Sequence, residues 1–215
     1  SKDNKKLYIS NMKMFKNVTY NFENIKKFFF MSTMSVYGEI KTKKINEKTK
    51  SNRPNYYGKS KIDCEKILLK LQRKSKILSV VLRLPGVVGK TSHSNFITNL
   101  VNKLLNNKQI KINNLESKFN NIVHSKDIFL FILRTIKKNK RGFYLANLAS
   151  KNPVKIKNIL RFLINKTNFK NKILFKKNTK SFIIDLSKAK KIGFKPRSVF
   201  NVLSTFLYNK RLQVK

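Results

Sequence analysis

The 215 residues, 40% of them apolar, can bury one core or two smaller ones, so a folded globular chain is expected. Fifty lysines and arginines against nine acids give a formal charge of +41 and favour anionic partners, yet they are spread along the chain among 27 asparagines; compositional drift is the better account, and nucleic acid is not the expected partner. Neither Phe28 to Met31 nor Ile128 to Leu133 approaches the roughly 18 apolar residues of a membrane span, the first residues lead into no signal region, and one cysteine with two histidines provides neither a disulfide nor a metal-ligand set, so a cytoplasmic, metal-free protein without a membrane partner is expected.

Residues 27–33, Lys-Phe-Phe-Phe-Met-Ser-Thr, form an apolar run without alternation, the pattern of a parallel strand covered on both faces. In an open α/β sheet ligands sit beyond the carboxyl ends of strands, which places Ser32 and Thr33 where chemistry occurs. Residues 41–54 read as loop. A helix is predicted from Asn55 to about Arg73, with Ile62, Ile67, Leu68 and Leu71 on its apolar face. The next strand, 78–84, is ended by Pro85 and Gly86.

Beyond Gly89 the pattern predicts a helix near 95–106, a short strand near 121–124, a helix from Asp127 to about Lys137 and a strand at 143–146. Asn152 and Pro153 are read as N-cap and first residue of an amphipathic helix carrying Ile156, Ile159, Leu160, Leu163 and Ile164. After a helix stop at Gly193 and Pro196, a last helix carries Val199, Val202, Leu203, Phe206 and Leu207. Strands alternating with helices indicate a parallel, three-layer α/β architecture.

One pair of residues stands out chemically. Tyr57 and Lys61 are four residues apart, on one face of the predicted helix, with their heads within reach. Tyr56 has Ser60 at the matching position, so the spacing selects Tyr57. A neighbouring ammonium favours the phenolate, and Tyr57 can then serve as general base toward a substrate hydroxyl. Thr33 is the candidate second hydroxyl, positioning that group and relaying the proton. In isolation the pair also fits a surface helix with a solvated lysine.

The order of segments decides between these. Ser-Thr-Met-Ser-Val-Tyr-Gly at 32–38 ends the buried strand, Arg-Pro-Asn at 53–55 precedes the pair, Ser-Lys-Ile-Asp-Cys-Glu at 60–65 follows it, and Leu-Arg-Leu-Pro-Gly-Val-Val-Gly closes the block at 82–89. This order resembles the extended short-chain dehydrogenases, the NAD-dependent nucleotide-sugar epimerase, dehydratase and reductase family. The similarity extends to Asn11-Met-Lys-Met, to residues 119–127 ending in Asp127, and to the lysine-rich turn at 185–196.

The resemblance implies an α/β fold: an incomplete Rossmann-like doubly wound parallel sheet in residues 1–89, and a mainly substrate-binding α/β unit in 90–215, with about 121–150 returning to the sheet. It implies that Thr33 orients and relays, that Tyr57 transfers the proton, and that Lys61 binds the nicotinamide ribose and lowers the tyrosine pKa. Ser32, Pro85 and Val87 join Tyr57 and Lys61 around an NAD or NADP cofactor. Thr33, Met34, Ser35, Gly86, Asn95 and Asn120 line the nucleotide-sugar side, and a homodimer through the catalytic helix is the family's usual assembly.

Departures shape the expectation. The family's glycine-rich turn, whose amides receive the pyrophosphate, has no counterpart among glycines at 38, 58, 86, 89, 142 and 193, so the chain is read as a fragment lacking roughly 70 to 100 residues. Met34 and Ser35 replace the acidic pair of family dehydratases, which disfavours dehydration. Asn120 stands where many relatives place an arginine on the diphosphate, and Gly86 where many place an asparagine.

The expected function is therefore NAD(P)-dependent epimerisation or reduction of a nucleotide-linked sugar. A catalytically silent remnant is the alternative, and a nucleic-acid-binding protein rests on charge alone. Four other residues receive bland readings. Glu65 is expected in an exposed pair with Lys61, Cys64 packs, His124 is a hydrogen-bonded structural group, and Asp127 caps a helix.

Overall fold

The computed structural model describes residues 4–75, 77–138, 140–176 and 181–214. The first half runs α1 (Lys5–Val18), β1 (Lys27–Thr33), β2 (Lys44–Ile45), α2 (Tyr56–Arg73), β3 (Leu78–Leu84), β4 (Gly86–Val88), α3 (Phe96–Leu105) and β5 (Ile110–Asn113). It continues with β6 (Lys118–Phe119), β7 (Ile122–His124), α4 (Ser125–Ile136), β8 (Gly142–Asn147), β9 (Val154–Lys155), α5 (Ile156–Ile164), β10 (Ile173–Lys176), β11 (Ile183–Ile184), α6 (Ser187–Lys191) and α7 (Val199–Val214).

The central sheet is parallel, in the order β1-β3-β8, with Thr33 opposite Leu84 and Leu82 opposite Ala146. Alternating side chains of β3 feed two cores, since successive residues of a strand point to opposite faces. Val81 packs with Phe15, Phe22, Cys64 and Leu68 under α1 and α2. Val80 and Leu82 pack with Phe131, Ala146 and Phe194 under α4 and the segment after α6. The sheet is thus covered on both faces, which is why β1 and β3 read as continuous apolar runs. A larger core joins α3, α5 and α7 through Ile97, Val101, Leu104, Ile159, Leu163, Val202 and Phe206.

Several expectations change. Asn152 has φ 55°, a left-handed conformation that asparagine tolerates, and Pro153 leads into β9. α5 therefore starts at Ile156, without a side-chain cap. Segment 41–54 contains β2, which pairs with β11, and β5 pairs with β10. Gly86 opens β4 rather than only ending β3, and β4 lies parallel to β7 with Gly86 opposite Ile122. The cap of α4 is His124, whose Nδ1 accepts the Lys126 N–H at 3.0 Å, while Asp127 accepts from Arg197 Nε at 2.8 Å. Among the described residues no helix is long and apolar enough to cross a membrane.

Candidate active site

α2 begins where Asn55 accepts the Gly58 N–H on its side chain at 2.9 Å. Gly58 is buried, and its missing Cβ lets the helix start lie directly on the Ser35 carbonyl. That contact sets Tyr57 over the carboxyl end of β1. Thr33 in turn caps the short turn Met34–Tyr37 by accepting the Ser35 N–H at 3.2 Å.

A cavity of about 960 Å³ opens at this edge of the sheet, and Thr33, Tyr57 and Lys61 all line it. Ser32, Met34, Ser35, Pro85, Gly86, Val87 and Asn95 line it as well. Asn95 is also the N-cap of α3, accepting from Ile97 and Thr98 N–H and donating to Val87 O at 3.0 Å. It ties the start of α3 to β4, the strand that faces the cavity.

Burial raises the Tyr57 pKa above its ordinary value, and the neighbouring Thr33 hydroxyl, which donates to Ser35 Oγ at 3.3 Å, opposes this. Burial likewise lowers the pKa of Lys61, against the pull of Cys64 and Glu65. The Lys61 ammonium donates to Met31 O at 3.0 Å and lies 4.7 Å from the Phe30 ring centroid and 5.9 Å from that of Tyr57. Desolvation of the phenolate is the largest influence on Tyr57, and Thr33 provides the counteracting one.

Three residues are placed otherwise than the sequence indicated. Asn120 is 1% exposed and does not line the cavity; its side chain donates to Ser150 O and Ile184 O and accepts from Ile184 N–H. Both N–H donors and the oxygen of its amide are engaged in joining backbone segments. Its neighbour Asn121 lines the cavity instead, with a buried Oδ1 that has no hydrogen-bond partner among the described residues. Side chains alternate along an extended segment, so one of two adjacent asparagines must face inward; the pairing of β4 with β7 decides which, and no local pattern reports it.

Glu65 is 6% exposed and pairs with Arg83 rather than Lys61. Ser32 lines the cavity, but its hydroxyl proton goes to Glu65 Oε1 at 2.5 Å, which leaves the oxygen only as an acceptor toward a ligand. Cys64 sits in the core, where burial pushes its thiol up to about 11, so it is no nucleophile at neutral pH. Among the described residues no three metal-ligating side chains gather into a metal site.

Comparisons with known proteins agree with this layout. The model of the NAD dependent epimerase/dehydratase family matches residues 1–146, more than half of the chain. UDP-glucose 4-epimerase from Thermotoga maritima, solved with UDP-glucose, is 20% identical at a TM-score of 0.77, covering 96% of this chain and 70% of that one. UDP-glucuronic acid 4-epimerase from Bacillus cereus, in complex with NAD, is 23% identical at 0.77, covering 94% and 68%. RMD from Pseudomonas aeruginosa, complexed with NADPH, is 16% identical at 0.74, covering 94% and 73%. No curated protein matches. The solved structures carry the fold, a Rossmann-like parallel sheet. With the family model matching over the whole of the central sheet but its last residue, the chain belongs to the NAD dependent epimerase/dehydratase family.

Proposed function

We propose that this chain serves an NAD(P)-dependent epimerase or reductase of a nucleotide-linked sugar, with Tyr57 as the proton-transfer group. One observation carries the reading: Thr33, Tyr57 and Lys61 border one cavity whose walls include two lysines, Lys61 and Lys90, and, among the described residues, no carboxylate. A cationic cleft of this size suits a ligand bearing a diphosphate.

In the oxidising direction the Tyr57 phenolate takes the proton of a sugar hydroxyl as the ring carbon gives up its hydride. The Thr33 hydroxyl holds that oxygen and stabilises the phenolate. Lys61, anchored on Met31 O and 5.9 Å from the Tyr57 ring centroid, would hold the ribose of a bound nicotinamide dinucleotide. A bound nicotinamide dinucleotide supplies the hydride acceptor and donor. Reversal returns the proton from Tyr57, and the face of the carbonyl presented decides between inversion and simple reduction. On this reading residues 1–89 carry the proton-transfer groups and 90–215 mainly the sugar-binding side.

The nicotinamide end fits the residues present. The pyrophosphate end does not find a glycine-rich cradle in this chain: Gly89 is the closest partner to Gly86, and a Cβ there would meet Ser125 Oγ at 2.4 Å, so its role is close packing. A second reading is a chain that keeps the sugar site without turning over. Thermal unfolding with NAD or NADP and with UDP-glucose separates the two. Ligand at about 100 times its Kd adds about 2.7 kcal/mol, or roughly 5–10 °C for a chain of this size. A rise with both ligands supports the first reading, a rise with UDP-glucose alone the second, and no rise with either contradicts both.

A further inference from the structure

Behind the cavity wall lies a buried polar chain that the proton-transfer chemistry does not use. Arg83 on β3 grips Glu65 on α2 with two parallel hydrogen bonds, Nε to Oε1 at 3.1 Å and Nη2 to Oε2 at 2.7 Å. Their side chains are 12% and 8% exposed. Glu65 Oε1 also accepts the Ser32 hydroxyl at 2.5 Å. Arg83 Nη1 donates to the Tyr37 hydroxyl at 3.0 Å, which donates to Asn147 Oδ1 at 2.7 Å. The chain thus links the middle of α2 to the carboxyl-terminal parts of β1, β3 and β8 and to the turn after β1.

Its position relative to the site is specific. Glu65 lies one turn beyond Lys61 and two beyond Tyr57, on the same helix face. Ser32 is the residue before Thr33. A buried ion pair is poor evidence for stability, because desolvation offsets the attraction; its better-attested use is to fix one arrangement among several of similar energy. A forked Arg–carboxylate pair is suited to that task, since both bonds must be aligned at once.

We propose that the Glu65–Arg83 pair is a positioning device that, through Ser32, holds the end of β1 against α2, so that the Thr33 hydroxyl stays in place beside Tyr57 to donate to its phenolate. Glu65, Arg83 and Ser32 are positioning residues: none needs to touch the substrate. The inference rests on the proposed role of Tyr57 but can be tested without cofactor or sugar.

The test is the titration of Tyr57 in the full chain, followed by 13C NMR of labelled tyrosine and assigned with Tyr57→Phe. Losing a hydrogen bond worth about 0.5–1.5 kcal/mol raises the midpoint by roughly 0.4–1 pH unit. Ser32→Ala, which leaves the ion pair intact, and Glu65→Gln are each expected to raise it by that amount. Adding Thr33→Val to Ser32→Ala is expected to give no further rise, because both act on the same bond. Should Glu65→Gln not fold, Ser32→Ala alone decides. A folded Ser32→Ala chain with an unmoved Tyr57 midpoint, or shifts that simply add with Thr33→Val, overturns the proposal. A merely structural pair would lower the melting temperature without moving the Tyr57 titration. Failure to bind cofactor bears on the proposed function and leaves this result intact.

Discussion

Gly58 and Ser35 meet so closely that a Cβ on Gly58 would stand 2.2 Å from the Ser35 carbonyl oxygen. The obstacle is backbone on a turn that Thr33 caps, so it cannot swing away. The contact couples the first turn of α2 to the end of β1, and so couples Tyr57 to Thr33.

Gly58→Ala is accordingly expected to destabilise, although alanine is the better helix former by about 1 kcal/mol. Overpacking against backbone costs about 1–3 kcal/mol, and here nothing flexible absorbs it. Denaturant unfolding checks this; a stabilised variant would mean that the helix start is free to move.

Asn120 and Asn121, adjacent in sequence, should behave as opposites. Asn120→Ala leaves Ile184 N–H and two carbonyls without their buried partner, at about 1–3 kcal/mol for such groups. Asn121→Ala is expected to leave the melting temperature nearly unchanged and to weaken UDP-glucose binding. Calorimetry of both variants reads stability and affinity separately.

His124 predicts a pH dependence. Its Nδ1 accepts the Lys126 N–H, so the imidazole must be unprotonated there. Burial, with help from Arg197 and against Asp127, holds its pKa below the ordinary 6.5. The unfolded chain therefore takes up the proton first, and the contribution is full above pH 6.5 and declines as pH falls below it. Melting temperatures taken downward from pH 7 should fall, and His124→Asn, which keeps a capping acceptor, should flatten that slope.

How much of this was legible follows from where the information resides. β1 and β3 could be read to the residue because a strand buried on both faces is continuously apolar and is ended here by hydroxyls or proline. Tyr57 and Lys61 could be paired because helical spacing is local. The strands β2, β5, β10 and β11 were illegible: each is two to four residues long and exists only through a distant partner, as Lys44 does opposite Ile183. Glu65 was misread for the same reason, since nothing near it announces that Arg83 arrives from another strand. The choice between Asn120 and Asn121 likewise depended on strand register, which one residue of slip reverses.

The central claim is that Tyr57 moves the proton in a nicotinamide-dependent oxidation within this cavity. Its most direct test is the absorbance of reduced nicotinamide after the chain is mixed with excess NAD or NADP and UDP-glucose, at a series of pH values. The account predicts that the rate of nicotinamide reduction rises with pH, as a buried phenol requires, and that it is lower by about 10²–10⁴-fold in Tyr57→Phe with UDP-glucose affinity retained. Equal rates in the wild-type and Tyr57→Phe chains would contradict it.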